Sequence, residues 1–243
     1  MTLEDPSTPA TSGQDDFDVQ VSGIAALGEP VRRALYRAVV ATTTPVSRDR
    51  AAEAVGVARH TAKFHLDKLV ADGLLEVEFG RPPGRGGPGA GRPAKLYRRS
   101  SRSLAVSLPA RDYELAGRLL ARAVTDAERG ELPVGQALAR AARDVGRSLG
   151  QEARRRAGKR PTQARLLAVA GAVLGECGYE PQADGSGLTL ANCPFHALAQ
   201  DYTDVVCGMN LELIAAVLSE LDRGLNARLE PAPGRCCVRV GTR

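Results

Sequence analysis

The spacing of hydrophobic residues over positions 29–73 predicts three helices in close succession. The first helix, EPVRRALYRAVV, carries Leu35, Val39 and Val40 on one face. Ser47 is suited to cap a short second helix, RDRAAEAVG, because its hydroxyl can accept a hydrogen bond from a free backbone N–H group. The third helix is VARHTAKFHLDKLVADG, and the glycine at its end predicts where it stops.

Beyond the third helix the pattern changes to two short strands on either side of a loop. LLEVEF and AKLYRRS have the composition of strands, while the fourteen residues GRPPGRGGPGAGRP contain six glycines and four prolines. Such a loop can form neither a helix nor a regular strand. Three helices, two strands and a flexible loop predict a winged helix-turn-helix domain over residues 21–105.

Residues 106–243 follow a different pattern, which predicts a domain of helices and strands without an internal repeat. Hydrophobic stripes predict helices over about 108–126, 135–150, 163–177 and 205–222. GLTLANC alternates in the manner of a strand, and ARLEP and CCVRV predict two further strands near the end of the chain. The predicted fold class is therefore α+β, with an N-terminal winged helix-turn-helix followed by a C-terminal α+β domain that contains the cysteines.

The charged residues are distributed unevenly along the chain. Residues 1–20 contain five acidic residues and no basic residue, and their Ser, Thr and Pro content without periodicity predicts a disordered acidic tail. Residues 21–105 contain 15 Lys and Arg residues against 7 Asp and Glu residues. A basic block of this length is typical of domains whose partner carries a phosphate backbone, so double-stranded DNA is the expected partner.

The third predicted helix carries Ala62, Leu66, Leu69 and Val70 on its hydrophobic core face, and polar and basic side chains opposite that face. These are His60, Thr61, Phe64 and Lys68, with Arg59 and Lys63 on one flank. A row of hydrogen-bond donors on a helix suits a major groove, where Phe64 would contact the methyl groups of thymine. The alternative interpretation is that Phe64 packs on a neighbouring helix and that the other side chains form a solvated face.

The glycine-rich loop adds further positive charge to this predicted DNA-binding face. Arg81, Arg85 and Arg92 lie in it, and the following strand brings Lys95, Arg98 and Arg99. A flexible cationic loop can follow the phosphates or enter a minor groove. The alternative is that the loop is a plain linker.

Five cysteines lie in the second half of the chain, at positions 177, 193, 207, 236 and 237. No hydrophobic run is long enough to cross a membrane and the N-terminus has no leader pattern. A cytoplasmic protein with free or metal-binding thiols is therefore expected. Cys177 continues the hydrophobic face of its predicted helix, which indicates a buried thiol in the core.

The other four cysteines lie at the ends of predicted elements or on the last strand. Cys193 ends a strand before a proline, and Cys207 points inward at the start of a helix, where the helix dipole favours a thiolate. Cys236 and Cys237 alternate on the last predicted strand, so one of them should face inward and the other outward. Zinc and iron–sulphur clusters are both held by thiolates, and the spacing leaves a cofactor and simple buried thiols equally open.

Longer segments resemble one family of regulators. LGEPVRRALYRAVV, VARHTAKFHLDKLVADGLLE and GRPAKLY resemble the DNA-binding half of SufR-type regulators, in the broad group of ArsR- and DeoR-like repressors. LANCPFHALA, VVCGMN and CCVRV resemble the cluster-binding half of the same family, and the likeness covers about residues 22–240. The resemblance implies a homodimeric repressor that controls genes for cluster assembly. As a dimer it would bind a palindromic operator.

The resemblance also implies that an iron–sulphur cluster, [4Fe–4S] or [2Fe–2S], is bound by three cysteines of the C-terminal domain and reports cluster status or oxidants. The family's ligands fall on Cys193, Cys207 and one of the terminal pair, of which Cys236 is preferred and Cys237 is the alternative. His196 is a candidate for the fourth ligand position.

Two other interpretations stand beside this one. In the first, the C-terminal domain of a winged-helix regulator holds zinc, senses thiol oxidation or binds a small ligand, without an iron–sulphur cluster. In the second, the chain is an enzyme such as a thiol-based reductase. The sequence shows no Ser/His/Asp arrangement, P-loop or GxGxxG turn, and two of its three histidines lie in the third helix, so an enzyme is not expected.

Overall fold

The computed structural model describes residues 13–80 and 93–242, with side chains from Phe17 onward. The chain divides between Val106 and Ser107 into two compact units, called here the N-terminal and the C-terminal unit. Among the described residues, no helix is long and apolar enough to cross a membrane.

The described residues of the N-terminal unit form four helices and a small antiparallel sheet. Its elements are α1 (Gly13–Ala26), α2 (Pro30–Val40), β1 (Val46–Ser47), α3 (Arg48–Val55), α4 (Arg59–Ala71), β2 (Leu75–Gly80) and β3 (Ala94–Arg99). The strand order is β1-β3-β2. Strands β2 and β3 pair from Leu75 opposite Arg99 to Gly80 opposite Ala94, so they form the base of the predicted wing.

Local chemistry explains where these helices begin and end. The Glu29 carboxylate accepts hydrogen bonds from the backbone N–H groups of Val31 and Arg32, which caps α2. Ser47 caps α3 as predicted, because its hydroxyl accepts a hydrogen bond from the N–H of Arg50 at 3.3 Å. Gly73 follows α4 with a φ of 74°, a left-handed conformation that glycine adopts without strain.

The core of the N-terminal unit lies between its three central helices and the sheet. It is built from buried aliphatic residues and one tyrosine, including Leu35, Val39, Ala51, Ala62, Leu66, Leu69, Leu75 and Tyr97. The predicted core face of the third helix is therefore confirmed for Ala62, Leu66 and Leu69.

The prediction of a disordered tail over residues 1–20 is wrong for residues 13–20, which belong to helix α1. Contacts from much later in the chain stabilise this helix. Gln20 Oε1 accepts a hydrogen bond from the backbone N–H of Ala105 at 3.1 Å, and Gly23 packs closely against Leu104. Residues 1–12 lie outside the described part of the chain.

The C-terminal unit consists of five helices and a four-stranded antiparallel sheet. Its elements are α5 (Tyr113–Glu128), α6 (Val134–Ala157), α7 (Gln163–Glu176), β4 (Pro181–Ala183), β5 (Gly187–Leu190), α8 (His196–Asp201), α9 (Thr203–Leu221), β6 (Leu225–Leu229) and β7 (Val238–Thr242). The strand order is β4-β5-β7-β6. The predicted α+β fold class is confirmed.

Two glycines bring helices α6 and α9 into close contact. A methyl group at Gly146 would overlap the carbonyl oxygen of Leu213, and a methyl group at Gly150 would lie 2.6 Å from the carbonyl oxygen of Val217. The two helices therefore run in the same direction with their backbones nearly touching. This packing positions α9, whose buried face includes Cys207.

Candidate functional site

Helix α4 presents a polar surface on the side away from the core. Arg59, His60, Lys63, Phe64 and Lys68 are exposed, and Thr61 is half-buried. Phe64 is 66% exposed, so it does not pack on a neighbouring helix. Among the described aromatic side chains, the Phe64 ring packs against that of His65 in a T-shaped arrangement, with 5.2 Å between the ring centroids. The surface is therefore free to meet a partner.

The cations of α4 differ in how far they are neutralised within the unit. Arg59 pairs with Asp49 at 2.6 Å, and Lys68 pairs with Asp72 at 2.7 Å. Lys63 makes no ion pair with any described residue. Both partners of the Arg59–Asp49 pair are exposed, and such a pair contributes about 1 kcal/mol or less, so a phosphate can replace Asp49 at small cost. The Asp72 side chain is buried, so Lys68 is held more firmly within the unit.

The base of the wing is attached to α4 through Asp67. Lys95 of β3 pairs with the Asp67 carboxylate, and the Tyr97 hydroxyl donates a hydrogen bond to it at 3.1 Å. Burial raises the pKa of Asp67, but the hydrogen bonds from Lys95 and Tyr97 outweigh burial and lower the pKa overall. Lys95 is thus already paired within the unit, which the sequence did not indicate.

The structure describes only some of the basic residues of the wing. Arg98 pairs with Glu76 of β2 at 2.9 Å, so it too has an acidic partner. Arg81, Arg85 and Arg92 lie outside the described residues. Their predicted contact with DNA stays a prediction.

The four candidate thiols of the C-terminal unit come from three segments. Cys193 lies in the loop after β5, and Cys207 is the fifth residue of α9. Cys236 and Cys237 lie directly before β7, which begins at Val238, so the prediction that they alternate on a strand is wrong. Cys193, Cys207 and Cys236 are buried, and Cys237 is half-buried.

The four thiols form a chain of neighbouring contacts. Cys193 and Cys237 each interact with Cys236 through their thiol groups, and Cys237 also interacts with Cys207. Hydrogen bonds from the thiols of Cys193 and Cys237 hold the pKa of Cys236 well below its ordinary value. The pKa of Cys193 and that of Cys237 are raised, because each interacts by a hydrogen bond with Cys236 and is also removed from water. Both members of the terminal pair therefore reach the site.

Hydrogen-bond donors point at the sulphur atoms of this site. The Asn210 side-chain amide donates to Cys236 Sγ at 3.2 Å, and the Tyr179 hydroxyl donates to Asn210 Oδ1 at 2.5 Å. Hydrogen bonding by the backbone N–H of Val238 contributes to the lowered pKa of Cys236, and that by Phe195 partly offsets the raised pKa of Cys193. Donors placed in this way favour the charged form of sulphur, the form that binds metals.

Cys177 and His196 lie apart from this chain of contacts. Cys177 follows the end of α7, half-buried against the hydrophobic core, and burial raises its pKa to about 11. His196 begins α8 with an exposed side chain, and its backbone N–H donates to the carbonyl oxygen of Cys193 at 3.1 Å. The candidate thiol site accordingly consists of Cys193, Cys207, Cys236 and Cys237.

The donor set suits a cluster held by sulphur. Within residues 13–80 and 93–242, no three His, Cys, Asp or Glu side chains are grouped closely enough to hold one metal ion. A cluster contains several metal ions, so its ligands lie further apart than those of a single ion. Four thiols in a largely buried site, with N–H donors facing two of the sulphurs, fit the thiolate ligation of iron–sulphur clusters.

Three polar residues of this region were missed from the sequence: Tyr179, Asn192 and Asn210. All three are buried. The Asn192 side chain donates hydrogen bonds to the carbonyl oxygens of Ala110 at 2.8 Å and Gly178 at 2.6 Å. The available signal was that each asparagine stands in an otherwise apolar segment within three residues of a cysteine, in LANC and VVCGMN.

Residues 27–78 match a family described as a helix-turn-helix domain. The match spans α2, α3, α4 and most of β2, and it includes all six predicted α4 side chains. The N-terminal unit therefore contains a helix-turn-helix DNA-binding domain. No curated protein and no solved structure matched the chain.

Proposed function

We propose that this chain is a transcriptional repressor that binds a palindromic operator as a homodimer and responds to an iron–sulphur cluster on its C-terminal unit. The proposal depends on one observation: four thiols lie near one another in a largely buried part of the C-terminal unit, those of Cys193, Cys207, Cys236 and Cys237. The helix-turn-helix match supports the DNA-binding part of the proposal. The resemblance of the cysteine motifs supports the choice of cluster, and its target genes would be those for cluster assembly.

In this proposal helix α4 reads the operator. Its exposed donors His60 and Lys63 would meet base edges and phosphates, and Phe64 would meet thymine methyl groups. Two copies of the chain would place two such helices about 34–36 Å apart, one turn of the DNA helix, which requires a palindromic site.

The four thiols hold the ligand in this proposal. Cys193 would bind from the loop after β5, Cys207 from α9, and Cys236 and Cys237 from the segment before β7. When bound, the cluster supplies a link between these three segments that iron loss or oxidation breaks. The chain contributes the largely buried surroundings, the Asn210 donor and the two backbone N–H donors, which stabilise the thiolates.

Single Cys→Ser variants of the full chain, purified without oxygen, test the cluster. We expect iron and sulphide in the wild type, together with the visible absorption of a cluster. C193S, C207S and C236S should lose most of this absorption, and C237S should lose at least part of it. The matched control is C177S, whose thiol lies outside the site and should leave iron content unchanged. Iron-free wild-type protein, or full iron content in C207S, would remove the cluster from the proposal.

A regulator that holds zinc is the second candidate, because thiolates are ordinary zinc ligands. The described thiols would have to move closer together to share one zinc ion. Metal analysis of the same anaerobic samples separates the two. Iron with acid-labile sulphide supports the cluster, whereas zinc without sulphide supports the second candidate.

A further inference from the structure

We propose that Arg111 and Asn192 are positioning residues that join the thiol site to the segment leading into the DNA-binding domain. A change at Cys193 would thereby alter DNA affinity. This inference rests on the proposed function, because the thiols must hold a ligand for there to be a signal. It goes beyond that function by naming the residues that carry the signal.

The first part of the connection is a hydrogen-bonded clasp around Asn192. Its side-chain amide donates to the carbonyl oxygens of Ala110 and Gly178, and its Oδ1 accepts from the Arg111 guanidinium. The same guanidinium lies 3.4 Å from the carbonyl oxygen of Cys193. Arg111 thus touches the backbone of a proposed ligand directly.

A second contact closes the clasp on the other side of Cys193. The backbone N–H of Asp112 donates to the carbonyl oxygen of Pro194 at 3.1 Å. Asp112 also caps α5, since its carboxylate accepts a hydrogen bond from the N–H of Leu115 at 2.9 Å. Residues 110–112 are therefore held against the Cys193 loop from both of its sides.

The preceding segment is attached to the N-terminal unit just as firmly. The N–H of Ser101 donates to the Glu76 carboxylate at 2.9 Å. Leu104 packs on the core of that unit, and the N–H of Ala105 donates to Gln20 Oε1. Both ends of the connecting segment are thus anchored within their own units.

Only residues 106–109 lie between these two anchors. Four residues span at most about 14 Å when fully extended, and this segment is shortened further because the Ser107 hydroxyl donates to the carbonyl oxygen of Pro109 at 3.0 Å. The connecting segment is short, and we expect a displacement of the Cys193 loop to be transmitted through it to residues 104–105.

A purely structural role for the clasp predicts a different result. If Arg111 only stabilised the loop, its loss would lower the stability of the protein or the amount of cluster that it retains. In the molecules that still hold a cluster, DNA affinity would then depend on the cluster as much as in the wild type. The decisive quantity is therefore the ratio of operator affinities of the cluster-loaded and the cluster-free protein.

Arg111→Ala and Arg111→Lys in the full chain test the clasp. The cluster is reconstituted with ferrous iron and sulphide, and the operator is obtained by selection from random-sequence DNA. For the wild type we expect the two affinities to differ by a factor of about 5 to 150, the usual range of allosteric coupling. In R111A the ratio should fall to about three or less at unchanged iron content, with partial recovery in R111K. The control is R118A, an exposed arginine paired with Glu114; a wild-type ratio in R111A overturns the inference.

A second variant lengthens the connecting segment and leaves the hydrogen bonds of the clasp unchanged. Inserting Gly-Ser-Gly between Val106 and Ser107 should reduce the affinity ratio while leaving iron content unchanged. The same insertion after Asp184, in the exposed turn between β4 and β5, is the control and should keep the wild-type ratio. A ratio unaffected by the first insertion overturns the inference.

Amide hydrogen exchange of the metal-free protein separates failure of this inference from failure of the proposed function. A wild type that never binds iron contradicts the proposed function, yet the clasp still predicts an outcome. R111A should accelerate exchange at the N–H of Asp112 and also at the N–H of Ala105, across the short segment. Acceleration confined to Asp112 overturns the inference.

Discussion

Replacing Tyr179 with phenylalanine tests the buried hydrogen-bond relay that ends on Cys236. Tyr179 and Asn210 are both fully buried, and the phenol donates to Asn210 Oδ1 at 2.5 Å. Y179F keeps the ring but leaves this oxygen without its donor where water does not reach. A buried polar group that loses its partner costs about 1–3 kcal/mol. We therefore expect the free energy of unfolding to fall by about that amount, a large share of the roughly 5–15 kcal/mol of a typical domain.

The companion variant Asn210→Leu removes the other half of the relay. It leaves the Tyr179 hydroxyl without an acceptor and the Cys236 sulphur without the donor that lies 3.2 Å away. The double variant Y179F/N210L replaces both polar partners with apolar groups of similar shape. Its loss should be smaller than the sum of the single losses, with a difference of about 0.5–3 kcal/mol.

The assay is urea unfolding of the metal-free, reduced protein, followed by circular dichroism. Hydrogen exchange of the amides in α9 assigns the change to the C-terminal unit. Y202F is the matched control, because Tyr202 is 63% exposed and its hydroxyl makes no hydrogen bond with any residue that the structure describes. If Y179F and Y202F were equally stable, or if the two single losses simply added, the relay would not be the interaction that the geometry describes.

The remaining predictions concern the DNA-binding surface and the packing of α6 on α9. K63A should weaken operator binding and reduce the slope of log K against log salt concentration by about 0.9, because it removes one phosphate contact; R118A should leave the slope unchanged, and an unaltered slope in K63A would exclude the phosphate contact. G146A should lower the free energy of unfolding by about 1–3 kcal/mol, because the new methyl group overlaps the Leu213 carbonyl oxygen. G117A, in open space on α5, should be neutral or stabilising by up to about 1 kcal/mol, and equal losses in both variants would contradict the packing argument.

Local sequence was sufficient for helices α2, α3 and α4 of the N-terminal unit, because their signals act within a few residues. Ser47 and Gly73 mark helix ends through their own side-chain and backbone chemistry. The periodicity of Ala62, Leu66 and Leu69 identified the core face of α4. The same periodicity of 3.6 residues per turn placed Phe64 on the opposite side of the helix, away from these core residues.

Helix α1 could not be predicted in the same way. Its acidic start carries no periodic hydrophobic pattern, and the groups that stabilise it are Leu104 and Ala105, about eighty residues away in sequence. A contact at such a distance leaves no trace in a local pattern. The expected tail was therefore assigned from composition alone.

The thiol site could be predicted from the sequence only in part. The resemblance of the cysteine motifs predicted Cys193, Cys207 and one or other of the terminal pair as ligands, but the expectation that Cys236 and Cys237 alternate on the last strand is wrong. The expectation fails because β7 begins only at Val238. Cys236 instead donates its N–H to the carbonyl oxygen of Leu190, and the carbonyl oxygen of Cys237 accepts from Glu230. The pair is thus held between the ends of β5 and β6, where strand alternation does not apply.

The clasp and helix α1 together give regulation a physical route within each unit. On the C-terminal side, Arg111 touches the carbonyl oxygen of Cys193. On the N-terminal side, Leu104 packs on Gly23 of α1, and the same glycine approaches the carbonyl oxygen of Asp72 at the end of α4. The covalent segment of residues 106–109 joins the two.

A small displacement of α4 would be enough to change DNA affinity. In the proposed function, DNA affinity would depend on several charged and apolar contacts from α4, so a displacement that weakens a few of them would change the affinity several-fold. A long, flexible linker would remove this dependence. The proposed coupling therefore rests on the short connection between the two anchored segments.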